Sequence, residues 1–477
     1  MARIAVIGAG MGAMATAARL AVAGHQVTVY ERGSTHGGSL GRFEREGFAF
    51  DTGPGLLHLP AVYRDLFVKT GKRRLEECVD LVQVDPAVRH VLADGTAVVL
   101  PGASRGGAAA ALDEAFGAGA GDRWATVLNR ARDAWDVTRR PLLEEPLRPD
   151  WQVLGRDPYP AVRKSGLLRR RPPTLAEVAA RELGGQLGEL LSARVREYGL
   201  DPATAPASAA VLPYMEQTFG SWYVRGGMRE LATALYERCR ERKVEFVFDA
   251  PVREVLAHEG RAAGVLLADG AGHPADHVVC GVDPRQLALP LPPGGVPAGA
   301  AAGAARHTLL LALRGARPAG TVHRTLVHSP GTQVTVLRPD DPAGRPDGDH
   351  EAVTVSAVCA PAGPAAGPAA APAPAPEALL DLAARAVPGL HERLLWWESR
   401  TPADIEAATG AAGGAVPAPS LAGAGGRLLH PANATALPGL YLAGGWAHPG
   451  GGLAHAGMTG ALVAGLIVEG AGFRGSQ

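Results

Sequence analysis

A strand that runs straight into a glycine turn and a small-residue helix constrains this chain more than any other feature. Arg3 to Ile7 form an apolar run, Gly8-Ala9-Gly10-Met11-Gly12-Ala13 follows at once, Met11 to Ala23 reads as a helix, and Gln26 to Tyr30 returns to a β-branched strand. Together they make a βαβ unit of about 30 residues. Each position has a mechanical task. Gly8 permits the tight turn, and Gly10 lets the backbone approach a pyrophosphate. The small residues Gly12 and Ala13 let the helix pack on the strand while its N-terminus faces the phosphates. Ala13 stands at the third fingerprint position, where the motif accepts alanine as well as glycine. The second strand ends at Glu31, whose carboxylate accepts hydrogen bonds from free ribose hydroxyls and repels a 2′-phosphate, so NADP is disfavoured.

Later segments decide which dinucleotide it is. Gly37-Gly38 leads into the phenylalanine-rich Phe43 to Phe50 and then Asp51-Thr52-Gly53-Pro54, a segment for which an NAD dehydrogenase has no use. Near the other end, Gly439 to Gly445 is a strand running into a glycine turn. His448-Pro449-Gly450-Gly451-Gly452 follows, with a helix from about Leu453 to Val468. That helix offers the cofactor a second glycine-lined N-terminus, whose partial positive charge suits the N1/C2 carbonyl edge of a reduced, anionic flavin. The cofactor expected is therefore FAD. Taken singly, either motif also reads as glycines serving only packing.

Composition removes other classes. Lys+Arg and Asp+Glu both number 47 in 477 residues, which argues against a nucleic-acid binder or an acidic tail protein. With 47% hydrophobic residues the chain is globular, and its length supports two or three cores. Cys78, Cys239, Cys280 and Cys359 lie far apart, so neither a zinc ribbon nor a dithiol centre is expected and a reducing, cytoplasmic home is. No metal cluster is read. The apolar opening Ile4 to Gly24 carries glycines and Arg19 where a cleavable signal needs another pattern. No run reaches the roughly 18–20 apolar residues of a membrane span, so the protein is expected to be soluble or at most peripheral at a membrane. Ala360 to Pro376 is nearly all Ala, Pro and Gly and reads as a surface loop.

The pattern is α/β at the start, helical and Arg-rich from Arg105 to Leu200, and strand-like again at Val244 to Phe248, Val265 to Leu267 and His277 to Cys280. The domain reading is a cofactor domain in three parts, 1–100, 216–290 and 401–477. A helical and mixed lobe at 101–215 and a substrate domain at 291–400 interrupt it.

The residues resemble the carotenoid (phytoene) desaturase branch of the flavin amine oxidase superfamily. The likeness runs through the fingerprint, Gly47-Phe48-Ala49-Phe50-Asp51-Thr52-Gly53-Pro54, Pro213-Tyr214-Met215-Glu216-Gln217, Gly220 to Gly227, Val278 to Pro284, Thr401-Pro402-Ala403-Asp404 and Gly444 to Gly457. It implies noncovalently bound FAD and a Rossmann-type cofactor domain of the glutathione-reductase-like two-dinucleotide-fold class. That domain would interleave with a mixed α+β substrate domain and a helical lobe. The activity implied is hydride removal from long apolar polyenes.

By this resemblance Gly8, Gly10, Gly12, Ala13, Glu31, Arg32, Gly38, Gly53, Pro54, Gly444, Gly445, Gly452 and Leu453 are cofactor contacts. Ser39 stands where similar proteins carry a pyrophosphate-holding arginine, with Arg42 as the substitute. Many relatives place an acidic residue against the ribityl chain where this chain has Gly445 and Trp446, so that contact falls to backbone or water. Val252 meets the adenine or is a core valine. Arg225 faces the cofactor or is solvated at a helix entry. Trp396-Trp397 are expected at a domain junction, and Thr401, Pro402 and Asp404 start a helix whatever else they do.

A desaturase needs a hydride acceptor and a dry, shaped channel, and low aromatic content predicts aliphatic walls built by the 105–200 lobe. No carboxylate pair, Ser/His/Asp order or metal cluster is legible. His448 and His455 are the titratable side chains of the flavin-facing segment, with His448 preferred for a polar role near the ring and turn stabilisation as its alternative. No second G-x-G-x-x-G follows a strand, so the electron acceptor expected is diffusible, oxygen or a quinone. The same scaffold serves redox-neutral polyene isomerases, alkene reductases and amine oxidases, and relatives without cofactor act as lipid-anchor chaperones.

Overall fold

Five short strands form a parallel sheet in the order Glu245–Val247, Gln26–Tyr30, Arg3–Ile7, His277–Cys280, Leu440–Leu442. The computed structural model describes residues 1–148, 150–160, 171–290, 304–362 and 372–475. The central strands are buried on both faces, Ile4 to Ile7 and Val278 to Cys280 without a break, as a covered parallel sheet requires. Helix Met11–Val22 packs on one face and against helix Leu453–Glu469. The small residues permit a close approach: a Cβ built on Gly12 would lie 2.6 Å from the Gly444 Cα, and one on Gly460 2.7 Å from the Ala15 carbonyl carbon. A three-stranded antiparallel layer, Val252–His258, Arg261–Leu267 and Gly272–Pro274, covers the other face.

A second, seven-stranded sheet runs Leu394–Arg400, Ala305–Arg314, His350–Cys359, Thr332–Leu337, Arg324–Ser329, Val88–Val91, Ala97–Leu100. Alternation along Ala305–Arg314 sends Leu309, Leu311 and Leu313 toward helix Pro376–Ala384, and Leu310 and Ala312 toward Phe48 and Phe50. The hairpin Arg42–Arg45 and Phe48–Asp51 thereby docks on the sheet. Trp396 closes the joint, its ring 5.5 Å from Phe48 and 6.0 Å from Phe50. Val88–Leu100, read above as part of the cofactor domain, instead supplies the last two strands of this sheet, because Val88–Val91 finds a parallel partner in Arg324–Ser329.

Helices Arg105–Phe116, Ala120–Arg139, Gly185–Glu197 and Val211–Phe219 share one apolar core that also takes in Ala454, Met458 and Ala461 of the C-terminal helix. The helical lobe thus rests directly on the helix whose N-terminus the sequence offers to the cofactor. Of the Ala360 to Pro376 tract, 363–371 lie outside the described residues. Its ends are tied down: the Ala362 amide donates to the Gly413 carbonyl at 2.8 Å, and His307 Nδ1 lies 2.7 Å from the Pro374 carbonyl. Among the described residues no helix is long and apolar enough to cross a membrane, and no His, Cys, Asp and Glu group is arranged to hold a metal ion.

Candidate cofactor and active site

The turn after the first strand builds an open backbone cradle. Gly8 sits at φ +87°, where a side chain would strike Val282, whereas a Cβ placed on Gly10 meets no atom within 4 Å. Helix Met11–Val22 begins at Gly10 with no side-chain cap and no acidic residue in its first turn, which leaves its amides and its positive end for an anion. Ala13 is fully buried, packed beneath Gly281. A second strip of backbone closes the far side. The Gly37 amide donates to the Ala9 carbonyl at 2.8 Å, a Cβ on Gly38 would lie 3.0 Å from the Gly10 Cα, and one on Gly53 only 2.0 Å from the Ser39 carbonyl oxygen. Gly38, Ser39, Gly53 and Pro54 are exposed along this strip. A concave run of bare backbone at an uncapped helix start fits a pyrophosphate.

Glu31 closes the ribose end. Its Oε2 accepts from the Ala9 amide at 2.7 Å and its Oε1 from the Gly33 amide at 2.8 Å, so the carboxylate is fixed with lone pairs left for sugar hydroxyls. Glu31→Gln puts an NH₂ group against one of these amides and removes the charge from the acceptor. The expected result is a loss of about 1.5–3 kcal/mol in FAD binding, about tenfold or more in Kd, by equilibrium titration. An unchanged Kd means that Glu31 only pins the turn.

The C-terminal turn gives a second helix start. Gly444 donates its amide to Thr459 Oγ1 at 3.0 Å, and a Cβ on Gly445 would lie 2.7 Å from Pro417. Gly452, exposed and at φ +99°, begins helix Leu453–Glu469 with no side-chain cap and no acid in its first turn. Leu453 is held by its carbonyl, which accepts from the Tyr63 hydroxyl at 2.9 Å.

Other expected residues are engaged elsewhere. Arg32 reaches the Ala407 carbonyl at 2.6 Å. Arg42 pairs with Glu44 at 2.6 Å and donates to the Gly226 carbonyl at 2.7 Å, so its guanidinium is held by the hairpin and the Gly226 turn. Arg225 lies 3.3 Å from Asp80 with half its side chain exposed, which places it at the solvated helix entry. Val252 opens its strand, half-buried opposite Leu267. His448 is fully buried, with Nε2 3.0 Å from the Glu145 carbonyl while its own carbonyl accepts from Asn433 at 2.7 Å. That anchors the turn to the lobe, and His448 lines neither of the cavities described next. Burial pulls its pKa down to about 4.

Two cavities border these elements. One, a partly open cleft, adjoins Gly53 and Gly55 and carries the polar groups of Arg42, Asp51, Tyr223, His323 and Asp341 in its walls. Burial drives the Asp51 carboxyl up to about 6 against the Met228 and Arg229 amides it accepts, and burial drives His323 down to about 4. The other, a narrow and partly open cleft, lies in the helical lobe among Trp135, Leu142, Leu143, Leu212 and Met215, and reaches His455. Sequence reading missed a third feature. Arg194 and Glu197 of one lobe helix, Glu216 of the next and Arg324 of the sheet form a buried ionic cluster. Burial pushes the Glu216 carboxyl up, but the Arg324 and Arg194 guanidiniums override it and hold it far below the carboxylate range. The glutamates sit on separate helices, and the only signal in the sequence is charge on otherwise apolar helix faces.

A glycine-turn βαβ unit, a second glycine-led helix and a large, mostly antiparallel sheet beneath a helical lobe define a two-domain flavoprotein fold. Residues 14–327, more than half of the chain, match the flavin containing amine oxidoreductase family, and the chain belongs to it. The chain is 30% identical to hydroxyneurosporene desaturase of Cereibacter sphaeroides over 502 aligned positions, which cover 98% of this chain and 97% of that protein. To 4,4'-diapolycopene oxygenase of Methylomonas sp it is 30% identical over 282 residues, 59% of this chain and 56% of that protein's length. Among solved structures, wild-type putrescine oxidase bound to putrescine superposes with a TM-score of 0.65 at 15% identity, over 98% of this chain and 99% of that one. The chain is an FAD-dependent oxidoreductase, and the open cradle at Gly10 and the two uncapped helix starts suit that cofactor.

Proposed function

We propose that this chain is a desaturase acting on an extended apolar polyene or isoprenoid-like molecule. The observation that carries the reading is the lobe cavity, whose walls of Trp135, Leu142, Leu143, Val211, Leu212 and Met215 bind by area burial, at about 25 cal/mol per Å² before association costs. The name of one relative, hydroxyneurosporene desaturase, agrees with it. In this reading Gly8, Gly10, Gly12, Ala13, Gly38 and Ser39 line the pyrophosphate, Glu31 the ribose and Val252 the adenine side. Gly53, Pro54, Gly444, Gly445, Gly452 and Leu453 border the flavin. Bound FAD supplies the two-electron acceptor for a hydride. The protein excludes water and aligns the chain of the substrate.

The cofactor domain is assembled from 1–87, 216–290 and 401–477, with the lobe at 101–215 and the seven-stranded sheet as substrate domain. Electrons leave to a diffusible acceptor, oxygen or a quinone. Val137, Trp151 and Val153 are exposed on the lobe, apolar side chains that suit peripheral contact with a bilayer surface.

A second reading, oxidation of a small amine, draws on the polar cavity, where the carboxylates of Asp51 and Asp341 would face a cation. Anaerobic mixing separates the two. Hydroxyneurosporene or phytoene in detergent micelles is expected to bleach the flavin absorbance, and putrescine to leave it unchanged. Bleaching by putrescine alone makes the protein an amine oxidase. A changed double-bond geometry in the polyene without bleaching makes it an isomerase.

A further inference from the structure

Among the titratable side chains lining the lobe cavity, one has no hydrogen-bond partner among the described residues. Thr138 donates to the Ala134 carbonyl at 2.7 Å, Ser208 donates to the Ala422 carbonyl, and Ser420 accepts from the His430 amide at 3.3 Å. Arg139, half-exposed, lies 3.3 Å from Glu144. That leaves His455, in the first turn of helix Leu453–Glu469, whose ring has no hydrogen-bond partner among the described residues. Its neighbours differ: His448 is tied to the Glu145 carbonyl, and His430 Nε2 lies 2.7 Å from the Ala418 carbonyl. His455 also borders the helix start, since its Nδ1 is the atom nearest a Cβ built on Gly452, at 3.4 Å. His455 is half-buried, and a ring with no internal partner in a largely apolar wall is free to meet a ligand or serve a chemical task.

We propose that His455 is the catalytic residue that takes the substrate proton. The inference rests on the desaturase reading and deepens it. At one allylic carbon the C–H bond breaks with its electron pair, which leaves as hydride to the flavin. At the adjacent carbon the C–H pair becomes the new π bond, and the proton passes to an imidazole nitrogen of His455. Hydride loss makes the adjacent C–H strongly acidic, so a weak base suffices. Burial, aided by the charge of His430, pulls His455 down to about 4, so its ring is neutral and ready to accept at ordinary pH. The charged and titratable groups around it are His430 and His448 from the neighbouring loop and turn, and Arg139 with Glu144 from the lobe. His430 and His448 are themselves held low by burial. Proton acceptance is therefore present above about pH 4 and lost as pH falls through that value.

The test compares the parent with His455→Phe, which keeps the volume, and His455→Gln, which keeps polarity without a useful base. With hydroxyneurosporene in micelles, both variants are expected to bleach anaerobically about 100-fold more slowly than the parent and to lose its acid limb. FAD content and polyene affinity should stay within about twofold, too small a change to reflect a lost binding contact. In FAD-free protein, the imidazole NMR signal that His455→Phe deletes is expected to shift when the polyene is added. Bleaching within about threefold of the parent in either variant, less than a base contributes, overturns the proposal, as does a His455 signal that ignores the polyene. A parent that no polyene bleaches overturns the desaturase reading instead.

Discussion

Gly10→Val is expected to abolish FAD retention while leaving the fold intact. A Cβ on Gly10 meets nothing within 4 Å, so the protein itself has room for the new side chain. Gly10 also lies outside the left-handed region, as the N-cap with φ −76° and ψ 170°, a conformation that valine adopts without strain. The space the isopropyl group would occupy is the concave side of the turn, where a phosphate must come within hydrogen-bond distance of the helix amides. The expected result is a colourless protein with a parent-like melting curve and an FAD Kd raised at least about 100-fold, about 2.7 kcal/mol. Gly12→Val separates packing from binding. Its Cβ would strike Gly444 at 2.6 Å, so it should lower the melting temperature as well. Full flavin content in Gly10→Val would falsify the placement of the pyrophosphate.

What could be read in advance was whatever is written locally. Strands Arg3–Ile7, Gln26–Tyr30 and His277–Cys280 lie where the apolar runs put them, because glycine turns and caps bound each run within a few residues. The Thr401–Asp404 capping box forms as read, with the Asp404 amide donating to Thr401 Oγ1 and the Asp404 carboxylate accepting from the Thr401 amide at 2.8 Å. Pairings between distant segments could not be read. Val88–Val91 has a strand pattern, but nothing in it says that its partner is Arg324–Ser329 rather than the parallel sheet. The sequence favours His448 over His455 for a polar role near the ring. Only the fold shows that Glu145, some 300 positions away, occupies His448 and leaves His455 facing the cavity. The lobe reads only as helical and Arg-rich, and its buried ionic cluster is not legible, because a single helix does not reveal what will be laid over it.

That last blind spot holds the largest expected effect on stability. Arg324→Met should cost about 3–5 kcal/mol, because it removes one of the two cations that hold two buried carboxylates. Arg324 is 2% exposed and bridges Glu197 and Glu216, while Arg194 meets Glu197 at 3.0 Å and Glu216 at 2.7 Å. Methionine fills the volume, so the loss is electrostatic and one carboxylate is left without compensation in a low-dielectric site. The expected readout is a melting temperature lower by about 3–5 °C. The pH dependence identifies the cause. In the parent the folded Glu216 and Glu197 pKa values are depressed, so their contribution is present above the unfolded carboxylate pKa of about 4.3 and is lost as pH falls through the folded value. In the variant the unpaired carboxylate is raised by burial instead, and protonation relieves it. The deficit relative to the parent should therefore shrink as pH drops from 7 toward about 4.5, where the raised carboxyl is protonated in the folded variant. Adding Glu197→Gln should restore part of the loss, since it removes the stranded charge, and the double-mutant cycle gives the coupling directly. A deficit below about 1 kcal/mol that does not change with pH would mean that water reaches the cluster and that the lobe is held to the sheet by its apolar contacts alone.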